Sequence, residues 1–320
     1  MARSRTSRRT RSAPVASTVA AKYVVYVHGI CRHEAGYSIP WFSAMKPYVQ
    51  DIPDANRREV LWSDIIHPQA VPALERAQVL SRETLALMHP GPPSGQEADV
   101  ILQIKDVLAD RAQRQYLEAS VQSLARDSDA GAAPSMTTLS TVAPQAMFGI
   151  PGLECIEDFG AYLLDRNIRD QVIARFHEVV RPLLEEGARL EVISHSWGTV
   201  VAYEALRLVD SEDVGAGAVH TFFTVGSALA IPPVKRQLIT EAIDGARPRR
   251  VQNWANLDAH FDIVGGPLQG VPFAVDHEYL GLTPVGCPSF IPNPACAHSS
   301  YFNVQNVAVN RDIFGHWIEI

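Results

Sequence analysis

A chain of 320 residues with 47% hydrophobic and 20% charged side chains holds enough apolar material for a full globular core. Its net charge of −7 is unevenly spread: five of 28 basic residues are arginines within residues 1–11, so 23 basic against 35 acidic side chains leave the rest at −12. Such a body is a poor general binder of nucleic acid, and no run approaches the roughly 18 apolar residues of a membrane helix.

Residues 1–20 form a basic, Ser-rich head without aromatics, expected to be a disordered tail. The "SRR" within it is followed by a segment lacking the apolar stretch of about 7–15 residues that an export signal needs. A cytoplasmic location is therefore expected, with contact to an anionic lipid surface as the head's one peripheral option. The four cysteines, at 31, 155, 287 and 296, read as free thiols of a reduced protein; Cys287 and Cys296 are close enough to close a loop if the chain is exported.

"KYVVYVHGI" (22–30) reads as a buried strand broken at His28-Gly29, and "WFSAMKPYV" (41–49) as a short helix. "REVLWSDII" (58–66) reads as a second strand. Helical patterns follow at 70–89 and 97–125, separated by "HPGPPSG". Residues 130–153 carry no charge, yet their prolines and glycines forbid a regular helix. They fit an irregular loop packed on the core or, alternatively, an apolar lid over a site. Helix resumes from 156 with a break near Asp165. Strand 189–195, helix 197–210, strand 219–225, helix 233–244, strand 250–257 and a last helix near 303–318 complete the chain. Strands alternating with helices give an α/β fold: a mainly parallel sheet with helices on both faces. One domain, 21–320, with a helical cap or lid insertion over about 67–165, is the simplest organisation.

The stretch "LEVISHSWGTVVAYEAL" (190–206) runs from a strand pattern straight into a helical one, with Ser196 at the corner. A serine flanked by small residues at a strand-to-helix turn is what a nucleophile elbow requires, since only small side chains fit beside so tight a bend. Here they are Ser194, where glycine is commoner, and Gly198. The plain alternative is a serine capping the helix. A serine nucleophile needs a histidine to take its proton and an acid to orient that histidine. Downstream lie "NWANLDAHFDIVGG" and then "ACAHSSYF".

On these pieces, with "YVVYVHGI" and "FFTVGSALA", the chain resembles the α/β-hydrolase superfamily, and within it bacterial serine lipases and esterases. The resemblance spans residues 22–30 and 190–302; the insertion matches nothing. It implies the α/β-hydrolase fold, with Ser196 as nucleophile, Asp262 as acid and His298 as base. It further implies an oxyanion site from the backbone N–H groups of Trp197 and Ile30, with Gly29 allowing close approach and His28 holding the loop. Asp258 remains an alternative acid and His277 an alternative base. His195 is expected to be a structural neighbour of the corner; His33 and His67 are expected at the surface. Asp258, His260 and Asp262 alternate, so on a strand they would face one side and could hold a metal; no paired ligand motif supports that, and no cofactor is implied. The expected activity is hydrolysis of carboxylic esters of lipid-like small molecules. A phospholipase, thioesterase or acyltransferase using the same residues is the alternative enzyme, and a non-catalytic lipid- or partner-binding scaffold the alternative class. The sequence leaves oligomeric state open.

Overall fold

The computed structural model describes residues 20–49, 51–67, 95–129, 155–212, 215–239, 244–270, 272–288 and 292–320. The basic head, the helical pattern at 70–89 and the uncharged segment 130–153 lie outside the described residues.

Six strands form one parallel sheet: β1 (Lys22–Val27), β2 (Arg57–Val60), β3 (Arg189–His195), β4 (Ala218–Val225), β5 (Val251–Ala259) and β6 (His277–Leu282), in the order β2-β1-β3-β4-β5-β6. The first pair runs outward from β1 to β2. The chain then returns past β1 and extends the sheet the other way from β3. The order therefore reverses between β1 and β3, and open α/β sheets bind ligands outside the carboxyl ends of the strands at that point.

Helices cover both faces because successive strand residues point to opposite sides and both sides are apolar. Val25 and Val27 of β1, Val192 of β3 and Phe222 of β4 enter one core, while Val24, Tyr26, Ile193 and Phe223 enter the other. The second core is closed by α1 (Ile39–Met45) and by the C-terminal segment, through Phe42, Met45, Ile313 and Ile318. The first is closed by five helices. These are α3 (Gly95–Asp129), α4 (Ile156–Leu164), α5 (Arg166–Glu185), α6 (Gly198–Val209) and α7 (Pro232–Leu238); the four-residue α2 (Ser63–Ile66) precedes them. The break expected near Asp165 is there: its carboxylate accepts from the N–H groups of Asn167 and Ile168 and starts α5.

Three expectations are corrected. The strand expected over 58–66 ends at Val60, because the Trp62 N–H turns to donate to His28 Nε2 at 3.1 Å and α2 begins at Ser63. The last helix is not continuous. A helical turn at Val307–Val309 passes into a wider π turn at Asn310–Gly315 and then a turn at His316–Glu319, with Asn306 and Asn310 bonding to backbone at the joints. The cysteines are not free. Cys31 pairs with Cys155 and Cys287 with Cys296, Cα–Cα 5.2 and 5.7 Å. Strand β6 and the short helix α8 (Pro294–Ser299) are additional to the expected elements. Among the described residues, no helix is long and apolar enough to cross a membrane.

Candidate active site

Strand β3 delivers Ser196 to the point where the strand order reverses. Ser196 is buried and has φ +57°, a left-handed conformation that costs an L-residue about 1–2 kcal/mol and persists only where its surroundings fix it. They do so on three sides. The Ser196 N–H donates to Val225 O at 2.9 Å, and its carbonyl accepts from the Thr199 N–H at 3.1 Å and the Thr199 hydroxyl at 2.6 Å. A Cβ on Gly198 would stand 2.2 Å from His28 O, and one on Gly29 would stand 2.8 Å from Ser196 Cβ, so the turns after β1 and β3 pack this closely only because both positions are glycine. Gly198→Ala is expected to cost about 2–3 kcal/mol, because the obstacle is backbone that cannot rotate away; an unchanged unfolding midpoint in denaturant would refute this packing. Ser194 is tolerated in place of glycine: its hydroxyl is buried and donates to Phe223 O at 2.8 Å.

Asp262 and His298 meet as a pair. His298 Nδ1 lies 3.0 and 2.9 Å from the two Asp262 carboxylate oxygens. With Nδ1–H donating, the neutral ring keeps its lone pair on Nε2. Three more donors converge on the carboxylate: the N–H groups of Val264 (2.9 Å) and Gly265 (3.1 Å), and the Tyr301 hydroxyl (2.6 Å). Burial alone would raise the Asp262 pKa, but the charge and hydrogen bond of His298, with the other donors, outweigh it and hold it at about 2. A Cβ on Gly226 would stand 2.7 Å from Asp262 Oδ2, so the turn after β4 closes tightly on the pair.

Ser196 and His298 line one cavity of about 340 Å³, with Gly29, Ile30 and Trp197 beside the serine. Its other walls are mainly apolar, with Leu108, Ile156, Ile263, Val264 and Trp41 stacked on Phe302 at 4.0 Å, and they also include His33, His195 and Ser299. A hydroxyl and an imidazole lining one cavity, the imidazole oriented by a buried carboxylate, are the groups from which a base-activated serine is built.

His298 Nδ1 bonds to Asp262, whereas Asp258 Oδ1 is buried without a hydrogen-bond partner, and His277 starts β6 with its ring against Trp317 at 4.4 Å. The shared face expected of Asp258, His260 and Asp262 is lost because β5 ends at Ala259, Phe261 turns with φ +70°, and His260 is exposed. Among the described residues, no group of three or more His, Cys, Asp or Glu side chains is placed to hold a metal. His195 is a structural neighbour: its Nε2–H donates to His298 O at 2.8 Å, and burial with the nearby His298 pushes its pKa down to about 3. His28 Nδ1–H donates to Gly29 O at 2.7 Å while Nε2 accepts from Trp62, and burial with neighbouring His33 keeps the ring neutral. Neither His33 nor His67 is an isolated surface residue. His33 lines the cavity 4.3 Å from the His28 ring, and His67 pairs with Asp158 at 2.7 Å.

Two residues escaped the sequence reading. Tyr301 follows His298 by three residues and anchors the acid from the same segment; that spacing in "HSSYF" was its signal. Arg111 of α3 gave none. Its guanidinium donates to the carbonyls of Ile263 (3.0 Å), Val264 (3.2 Å), Gly265 (2.8 Å) and Ala230 (2.9 Å), fastening the loop after Asp262 to α3.

Asp258 lies behind this loop with Oδ1 buried and unpartnered. Burial, then the charge of Asp262, push its pKa up to about 8, with Glu278 adding to the rise and Arg111 opposing it. A carboxyl raised in the folded state stabilises fully below its unfolded pKa, and that contribution is lost as pH rises through the folded value. Wild-type stability should therefore decline by a few kcal/mol between about pH 4 and pH 8 relative to Asp258→Asn, which cannot ionise. Parallel stability curves for the two proteins across that window would contradict this.

No protein-family model matches the chain, and no curated protein matches it.

Proposed function

We propose that the chain is a serine hydrolase of carboxylic esters, built on the α/β-hydrolase plan. The observation that carries this reading is the Asp262–His298 pair, held at 2.9–3.0 Å, opening on the same cavity as the left-handed Ser196 at the end of β3. In this reading Ser196 attacks the acyl carbon while His298 Nε2 takes its proton. The carbonyl oxygen becomes an oxyanion and accepts from the N–H groups of Ile30 and Trp197. His298 then protonates the departing alcohol, leaving an acyl-enzyme. A water deprotonated by the same nitrogen releases the acid. Asp262 stays ionised throughout and fixes the ring.

Esters are favoured over phosphate-bearing acyl substrates because no Lys, Arg, Asp or Glu stands among the described residues lining the cavity. The insertion acts as a cap: Leu108 of α3 and Ile156 of α4 form part of the wall. The lid reading of 130–153 falls outside the described residues. The two disulfides support an oxidising compartment rather than the cytoplasm.

A fluorophosphonate probe tests the reading without knowledge of the substrate, since it reports only an activated serine. Wild type should label, and Ser196→Ala and His298→Ala should not. Equal labelling of wild type and Ser196→Ala, or none of folded wild type with and without detergent, would overturn it.

A further inference from the structure

Among the described residues, three that are not glycine hold a left-handed φ: Cys31 (+71°), Ser196 (+57°) and Phe261 (+70°). Ser196 is the corner serine, and Phe261 precedes the acid Asp262. Cys31 directly follows Ile30, and it is the one of the three bound covalently to another part of the chain. Its sulfur is bonded to Cys155, which sits immediately before α4. Helix α4 is in turn fixed to the serine corner. The Phe159 ring lies 3.9 Å from that of Trp197, and the Tyr162 hydroxyl donates to Glu204 of α6 at 2.7 Å. Cys31 and Ile156 both line the cavity.

From this chain of contacts we infer that the Cys31–Cys155 disulfide positions the oxyanion site by holding Cys31 in its left-handed conformation. It rests on the reading of the site given above. The two donors come from different strands, Ile30 after β1 and Trp197 after β3, and each needs a fixed place relative to the other. The bond links the residue after one donor to the helix that packs on the other. It also holds Cys31 in a conformation its own Cβ disfavours. Without the bond, Cys31 relaxes toward negative φ and the Ile30 peptide rotates with it. Cys31 and Cys155 touch no reacting atom in this scheme; they act through the backbone.

The test uses three variants of the full chain: Cys31→Ser with Cys155→Ser, Cys31→Gly with Cys155→Ser, and, as control, Cys287→Ser with Cys296→Ser. Turnover of a soluble p-nitrophenyl ester is measured with thermal unfolding, beside wild type and Ser196→Ala. The serine pair should lose about 10–100-fold in kcat, part of the loss expected on deleting one oxyanion donor, with KM within about twofold. The glycine variant also lacks the bond but accepts a left-handed φ freely, and should return to within about threefold of wild type. The control should lose less kcat than the serine pair, since its bond adjoins neither oxyanion donor. A folded serine pair with wild-type kcat, or a folded glycine variant as slow as the serine pair, would overturn the inference. If the serine pair does not fold, the glycine variant alone decides; failure of both to fold assigns the bond to stability alone and also overturns it. Wild type without Ser196-dependent turnover would instead overturn the proposed activity, so the two failures are distinct.

Discussion

Ser196→Ala is expected to lower ester turnover by about a millionfold at saturating substrate, the scale seen when the nucleophile of a coupled serine–histidine–acid unit is removed. The reason is local. Alanine deletes one oxygen, while the bonds that fix the corner come from the backbone of residue 196 and are kept. Wild type and Ser196→Ala should therefore unfold within about 0.5 kcal/mol of each other, as substitutions free of strain or cavity do. Ser196→Gly should be as inactive and more stable than the alanine form. It escapes the left-handed cost, about 1 kcal/mol, although glycine's larger freedom when unfolded offsets part of that gain. A glycine form less stable than the alanine form would mean that φ +57° carries no strain here. Residual turnover within a hundredfold of wild type would mean that another group is the nucleophile.

Asp262→Asn is expected to cost about 10⁴-fold in kcat. All four groups bonded to this carboxylate are donors: His298 Nδ1–H, Tyr301 Oη–H and the N–H groups of Val264 and Gly265. An amide brings two hydrogens of its own, so one must meet a donor. The imidazole is the easiest partner to change, by moving its proton to Nε2, and the lone pair that faces the serine is then lost. The same substitution has a pH signature. The Asp262 pKa is depressed from 3.8 to about 2, so its contribution to stability is fully present above about pH 4 and is lost as pH falls through about 2. That contribution is roughly 2–3 kcal/mol. The stability gap between wild type and Asp262→Asn should shrink across this window; a gap constant from pH 6 to pH 2 would show that the carboxylate's charge is not its source.

The centre of the molecule was readable because several local signals agreed. Strand β3 and helix α6 have their expected bounds within a residue: apolar alternation ends at a small-x-Ser-x-small turn and a 3.6-residue pattern begins. The contact of Asp262 with His298 is the pairing the resemblance implied; order after Ser196 alone left Asp258 and His277 open, and the phrases Asp-x-Val and His-Ser-Ser-Tyr favoured the pair found. What lay outside reach depended on contacts distant in sequence. Strand β6, "HEYLGL", is half exposed and pairs on one side only, so no apolar period betrays it. The strand pattern at 58–66 was overridden by one hydrogen bond from Trp62 to a histidine 34 residues earlier. Arg111 serves a loop about 150 residues away, and the pairing of Cys31 with a partner 124 residues on leaves no mark in spacing.

The strand order also bears on synthesis. Strand β1 has β2 on one side, but its other neighbour is β3, with Lys22 opposite Arg189, 189 − 22 = 167 residues later. At about 5–20 residues per second, translation leaves that edge without its partner for roughly 8–33 s. During this interval the apolar run Val24–Val27, buried on both faces in the finished protein, lacks its central neighbour β3 and the helix α6 that follows it, although α1 and α3–α5 are made before β3. The nascent chain therefore carries a strand with one open edge until β3 is made, and the half-site carrying Ile30 waits for the half-site carrying Ser196.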